Sequence, residues 1–214
     1  MYTPTVSRKL LRRLPVYLHY MKTLPEEMEN ISATRMARDL GLGDVLVRKD
    51  LAKVSDGGRR KLGYVRQTLI RDIESFLDVN STTCAVLVGA GKLGQALMDY
   101  EGFAKSGMHI LAGFDVKPDL NRTDGGKPIY GVDQLDAFCH CYPISIGIIA
   151  VPAEHAQWVC DKLIHSSVRA IWNFSPAHLV VPEDVVIQSE NLAISLTSLR
   201  MQLKNQKSWD DVPE

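Results

Sequence analysis

No stretch of this chain offers the roughly 18 consecutive apolar residues that a membrane-spanning helix needs. Residues 1–18 also lack the unbroken apolar segment and small-residue cleavage site of a secretory leader. A cytoplasmic location without a membrane partner is therefore the expectation. Cysteine is scarce, with only Cys84, Cys139, Cys141 and Cys160 at irregular spacing. That excludes a disulfide framework, and Cys139-His140-Cys141 has no second ligand pair at the spacing of a zinc finger. No metal is expected, and the trio reads as a helix end with incidental thiols. Cys84 and Cys160 lie in apolar patterns and read as buried. None of the seven tyrosines is followed four residues later by lysine, so the catalytic pair of short-chain dehydrogenases is missing.

Net charge is absent too, with 25 Lys and Arg against 25 Asp and Glu, but the balance is uneven along the chain. Residues 1–78 hold 15 basic and 10 acidic residues, and residues 79–214 hold 10 and 15. A basic half is the footprint of a phosphate-binding surface. That half reads as helices. Over 7–24, Leu10, Leu11, Leu14, Tyr17, Leu18 and Met21 recur near helical spacing, with Pro15 marking a kink or a true start. Ser32 is the expected N-cap of a helix over 33–40 that stops at Gly41. Asp44 is the expected cap of the next, over 45–54, which carries Arg48, Lys49 and Lys53. Two short helices across a glycine turn make a helix-turn-helix. The basic segment 55–64, with Arg59, Arg60 and Lys61 between glycines, reads as a hairpin wing, and a further helix is expected over 65–77.

After a linker at 78–83 the pattern changes to apolar, β-rich runs at 84–88, 109–114, 144–151, 169–173 and 185–188. Helical patterns separate them at 92–105, 133–139 and 153–165. Continuous apolar strands alternating with helices indicate an α/β, Rossmann-type doubly wound parallel sheet. Residues 85–94 read A-V-L-V-G-A-G-K-L-G. In this fingerprint Gly89 permits a tight turn, Gly91 lets the backbone approach a pyrophosphate, and Gly94 lets the helix pack close on the strand. The motif follows an apolar strand, opens a helix, and has Asp115 21 residues past Gly94 at the end of the next strand. Those three contexts together point to a dinucleotide. A carboxylate at Asp115 accepts from a ribose 2′-OH and repels a 2′-phosphate, favouring NAD(H), with the basic Lys117 close by.

An enzyme has little to build on here. The nucleotide fold fills roughly residues 82–190, leaving no segment for a substrate domain. His155 is the best-placed general base, yet nothing nearby in sequence would orient it, and it reads as a surface histidine. The alternative kept open is a small NAD-dependent oxidoreductase with a basic N-terminal interaction domain. Over 192–206, Leu192, Leu196, Leu199 and Leu203 form an apolar stripe on a final helix. It suits either its own sheet or a second subunit.

The chain resembles the redox-sensing transcriptional repressor family Rex. The resemblance rests on Arg12-Arg13-Leu14-Pro15, Val47-Arg48-Lys49-Asp50-Leu51, Leu62-Gly63-Tyr64, residues 88–94, Tyr100-Glu101-Gly102-Phe103, Phe114-Asp115, Val151-Pro152-Ala153, Asn173-Phe174-Ser175-Pro176 and residues 181–186. It implies a winged-helix DNA-binding domain over 1–78, a Rossmann NAD(H) domain over 82–190, and a domain-swapped dimerisation helix and tail over 191–214. It implies a homodimer that holds double-stranded operator DNA when NAD⁺ prevails and releases it when NADH accumulates. Carried over by position, Gly89, Ala90, Gly91, Lys92, Leu93 and Gly94 would meet the pyrophosphate, and Asp115, with Lys117, the adenosine ribose. Tyr100, Val151, Pro152, Asn173, Phe174, Ser175 and Pro176 would surround the nicotinamide. Arg48 and Lys49 would sit on the recognition helix, Arg59, Arg60 and Lys61 on the wing, with Arg12, Arg13 and Lys53 also facing DNA. This chain departs from the family at Val45-Leu46, where a polar pair is usual, in the non-aromatic segment 53–58, and at Glu190-Asn191.

Overall fold

In the computed structural model, which describes residues 7–59, 62–78, 81–116 and 121–210, the first helix, α1 (Arg8–Thr23), begins where the Ser7 side chain accepts from the Leu10 N–H. Leu10, Leu14, Tyr17, Leu18 and Met21 line its buried face, each side chain contributing about 1.5–3 kcal/mol of apolar burial. Pro15 lies inside the helix rather than at its start. Asn30–Ile31 forms a short strand, β1. Helix α2 (Ala33–Asp39) is capped by Ser32, which accepts from the Arg35 N–H, and the chain leaves it through Gly41 at φ 65°.

The next helix, α3 (Asp44–Leu51), corrects two expectations. Gly43 is its N-cap, without a side-chain bond, and Asp44 is its first helical residue. The Asp44 carboxylate instead accepts from the Thr34 hydroxyl of α2 (2.9 Å) and from Arg48 one turn on (2.6 Å). The helix also stops at Leu51 rather than 54, because the Lys53 and Val54 N–H groups turn back to Asp50 and Leu51 in tighter bonds. Arg59 and Gly63 exchange backbone hydrogen bonds at 2.8 and 2.9 Å, and β2 (Tyr64–Val65) then pairs antiparallel with β1. Arg60 and Lys61 lie outside the described residues. Helix α4 (Arg66–Phe76) completes this unit, which divides from the second between Ser81 and Thr82.

The second unit opens with β3 (Thr83–Val88), whose alternate residues face opposite ways. Ala85 and Leu87 enter one core cluster, Val86 and Val88 the other, so both faces are buried and the strand reads as one apolar run. After it come α5 (Lys92–Met98), β4 (Met108–Asp115), β5 (Ile129–Gly131), α6 (Leu135–Cys141), β6 (Ile144–Ile149), α7 (Ala153–His165), β7 (Ala170–Asn173), β8 (Val186–Ser189) and α8 (Leu192–Asp210). The sheet is parallel, in the order β5-β4-β3-β6-β7-β8. Its connections reverse direction between β3 and β6, and ligands of such sheets sit at that point, outside the strand ends.

Two differences from the sequence reading have clear causes. Helix α5 ends at Met98 rather than 105, because the next residue turns outward: the Asp99 carboxylate accepts from the Thr123 hydroxyl (2.6 Å) and the Gly125 N–H (3.0 Å). Strand β5 carries three residues, too few to show a period, and is defined by its pairing with the edge of β4. Among the described residues, no helix is long and apolar enough to cross a membrane.

Asp136 ties α6 to α7 and its following turn. Its carboxylate accepts from the Ser166 hydroxyl and from the Lys162 ammonium (2.9 Å), and these contacts hold it below its ordinary value of 3.8. A depressed carboxylate stabilises the fold above its unfolded value and loses that contribution as pH falls through the folded one. The urea midpoint should therefore fall below about pH 4 in the unaltered protein, and this acid-side fall should shrink in Asp136→Asn. An identical acid limb in both would remove Asp136 from the account.

Candidate nucleotide cleft and nucleic-acid interface

At the strand ends where the sheet reverses lies a cleft of about 300 Å³. Gly89 and Gly91 form its floor, Asp115 and Val116 one wall, and Val151, Pro152, His155 and Trp158 the other. The fingerprint glycines differ in what they do. Gly89 has φ 102°, and a Cβ there would strike the Ala150 carbonyl; a Cβ on Gly94 would strike the Gly89 carbonyl and Leu87. Both are demanded by the fold itself. A Cβ on Gly91 would meet nothing within 4 Å, so the fold itself leaves the space above it open. Lys92 and Leu93, at the start of α5, are exposed beside it. Asp115 has a second task that its sequence position does not reveal: it accepts from the Ala90 N–H at 2.9 Å, bracing the glycine turn against the end of β4.

The structure divides the residues expected around a nicotinamide. Val151 and Pro152 line the same cleft as Asp115, because β6 neighbours β3 and its C-terminal loop faces the glycine turn. Tyr100 and the 173–176 turn are not part of that lining. They are linked to each other by an aromatic row: Tyr100 packs edge-on against Phe103 (5.0 Å) and Phe103 edge-on against Trp172 (5.4 Å), while Trp172 meets Phe174 in a tilted pair (4.6 Å). Asn173 is fully buried and folds its turn, accepting from the Ser175 N–H (2.9 Å) and donating to the Ala177 carbonyl (3.0 Å). Ser175 is buried and Pro176 exposed. Lys117 lies outside the described residues. His155 and Trp158 were not assigned to a site; their i, i+3 spacing on the helix after Val151-Pro152 is the signal that places both on the cleft.

In the first unit, a groove of about 510 Å³ opens between α2, α3 and the wing, lined by Ser32, Thr34, Arg48, Gly58, Arg59 and Tyr64 among others. Lys49 and Lys53 are exposed, as is Arg12. Arg13 is committed elsewhere. Its Nε and Nη2 donate to the two carboxylate oxygens of buried Asp50 at 2.6 and 2.9 Å, and the Tyr17 hydroxyl donates to the same carboxylate at 2.9 Å. This fastens α1 to α3 and corrects the reading of Arg13 as a DNA-facing residue. Arg66 is likewise interior, donating to the Leu24 (2.8 Å) and Pro25 (3.0 Å) carbonyls beyond the end of α1, where a cation suits the helix dipole. The basic surplus of this unit therefore overstates the charge it can offer to phosphate.

Cys139 and Cys141 end α6 as expected. Burial, with Asp136 adding to it, pushes the Cys139 thiol up to about 11, and Cys141 is exposed. Among the described residues no group of three His, Cys, Asp or Glu could hold a metal ion.

Comparison with known proteins bears on both units. The family model "Putative DNA-binding protein N-terminus" matches residues 5–52, and "CoA binding domain" matches residues 80–177. The redox-sensing transcriptional repressor Rex of Porphyromonas gingivalis is 38% identical over 202 residues, covering 94% of this chain and 93% of the relative. The chain belongs to the Rex family. Rex of Treponema denticola is 36% identical over 92% of this chain and 95% of its own length. The solved structure of RSP in complex with β-NAD⁺ and operator DNA superposes with a TM-score of 0.87 at 30% identity, covering 97% of each chain. RSP in complex with β-NADH gives 0.87 at 29% identity, covering 99% of this chain and 100% of that one. As a Rex-family chain it is a transcriptional repressor and not an enzyme, so the oxidoreductase alternative falls.

Proposed function

We propose that this chain is a cytoplasmic, NADH-sensing repressor that binds palindromic operator DNA as a homodimer and dissociates when NADH binds. The observation that carries the reading is the space over Gly91: the fold does not require a glycine there, whereas a pyrophosphate does. Gly89–Gly94 would hold the diphosphate and Asp115 the adenosine ribose, with Val151 and Pro152 on the adenosine side of the cleft. Tyr100 and the turn Asn173, Phe174, Ser175 and Pro176 would stand toward the nicotinamide. In the first unit, Arg48 and Lys49 would enter the major groove while Arg59, with Arg60 and Lys61, follows the backbone. Arg12 and Lys53 would add phosphate contacts.

NADH and NAD⁺ differ in charge and planarity at one ring. Only a pocket that binds one of them better can shift the equilibrium between DNA-competent and incompetent forms. Retarded mobility of duplexes selected from random DNA is expected with NAD⁺ and lost on adding NADH. Binding that ignores both nucleotides would contradict the reading.

The dimer reading rests on α8. Every described side chain from 192 to 204 is exposed, including Leu192, Leu196, Leu199 and Leu203. A second copy covers this stripe in the proposed assembly, and a two-fold dimer reads a palindrome. Replacing Leu196 and Leu199 together with Asp should convert the dimer to a 23.9 kDa monomer in sedimentation velocity. It should also weaken operator binding sharply, because two half-sites are then no longer bound as one. A variant that stays dimeric would place the interface elsewhere.

A further inference from the structure

The exposed face of α3 carries a feature that the charge-based account of DNA binding leaves unexplained. Its buried residues are Val47, Asp50 and Leu51. On the opposite side Val45 is 64% exposed and Leu46 38% exposed, in the first turn of the helix. Arg48 and Lys49, three and four residues after Val45, share its face and are exposed as well. An apolar pair in water, directly N-terminal to two cations, is unfavourable as it stands and asks for a partner that is apolar within an anionic surround. Duplex DNA offers that combination in its major groove, where the thymine 5-methyl group is the apolar element among phosphates and polar base edges.

Resting on the DNA-binding reading above, we infer that Val45, with Leu46 beside it, is a specificity-determining contact that reads thymine methyl groups in the operator. Helices of this kind present their N-terminal residues to base edges, and Val45 stands there. Its β-branched side chain is held to one strongly preferred χ1 in a helix, so its methyls are offered in a fixed position. The neighbouring cation is paired within the helix. Asp44, itself held by the Thr34 hydroxyl, accepts from Arg48 Nη2 at 2.6 Å. The apolar pair thus reads thymine while Arg48 and Lys49 supply phosphate or guanine contacts.

The test uses the full-length dimer and a duplex selected from random sequence in the presence of NAD⁺. Each thymine of the half-site is replaced in turn by deoxyuridine, which removes the 5-methyl group and keeps base pairing. The expected result is a loss of about fourfold in affinity at each contacted position, the equivalent of one buried CH₂-sized group. The Val45→Ala, Leu46→Ala double variant should bind thymine and uracil duplexes equally, with its NADH release intact. A wild-type protein indifferent to every uracil substitution overturns the inference while leaving the repressor reading in place. So does a double variant with undiminished methyl dependence. Failure to select any duplex overturns both readings and assigns the face to a partner other than DNA.

Discussion

Gly91→Ala is expected to leave the fold and operator binding intact while lowering NADH affinity by about 10- to 100-fold, so that DNA is no longer released at NADH concentrations that clear the wild type. The magnitude is that of forcing one methyl into an occupied space, roughly 1–3 kcal/mol. What gives the prediction its discrimination is the contrast with its neighbours. A Cβ on Gly91 meets nothing in the protein, whereas one on Gly94 strikes the Gly89 carbonyl. Gly94→Ala should therefore lower the thermal midpoint with or without cofactor, and Gly91→Ala should lower it only in the comparison made with NADH present. Calorimetry and NADH titration of both variants separate the two roles. If Gly91→Ala destabilises the free protein as much as Gly94→Ala does, the open space above Gly91 has been misread.

Arg13→Ala should destabilise the N-terminal unit by about 3 kcal/mol, because it leaves the Asp50 carboxylate buried without its cation. Asp50 keeps only 5% of its side chain exposed and Arg13 22%. The three-way contact of Arg13, Asp50 and Tyr17 joins α1 to the helix that carries Arg48 and Lys49, so loosening it should weaken operator binding indirectly. Arg12→Ala, one residue away on an exposed face, should reduce the salt dependence of DNA binding by about one unit of slope and lower the urea midpoint far less than Arg13→Ala does. Equal effects of the two substitutions on stability would refute the assignment.

The same cluster has an alkaline signature. Burial first, and then the bond to Asp50, pushes the Tyr17 phenol up to about 12 from 10.0. A raised value means that its contribution is complete below pH 10 and is lost as pH rises toward 12. Tyr17→Phe should remove that loss from the alkaline unfolding curve.

Much of the fold was legible because each element announced itself locally. Ser32 caps its helix where its position predicts, and α7 matches its expected bounds because its apolar period is unbroken from Ala156 to Leu163. Asp44 misled because a helix-favouring acid at a boundary fits the cap and the first turn equally, and only the position of Thr34 decides. Strand β5 had no pattern of its own. Within the site, glycines and a strand-end acid were readable because backbone geometry ties them to fixed spacings. Trp158 and His155 signal themselves only by their i, i+3 spacing after Val151-Pro152, and it is the packing of α7 against the sheet that brings that face to the cleft. Arg13 shows the opposite failure: a basic residue in a basic region, whose partner is 37 positions away in sequence.

The central claim is that cofactor and operator act through one equilibrium, and thermodynamic linkage tests it directly. NADH affinity should be measured for the dimer alone and for the dimer saturated with its selected operator. The account predicts that operator weakens NADH binding by the same factor by which NADH weakens operator binding. An operator-bound protein whose NADH affinity is unchanged would contradict it.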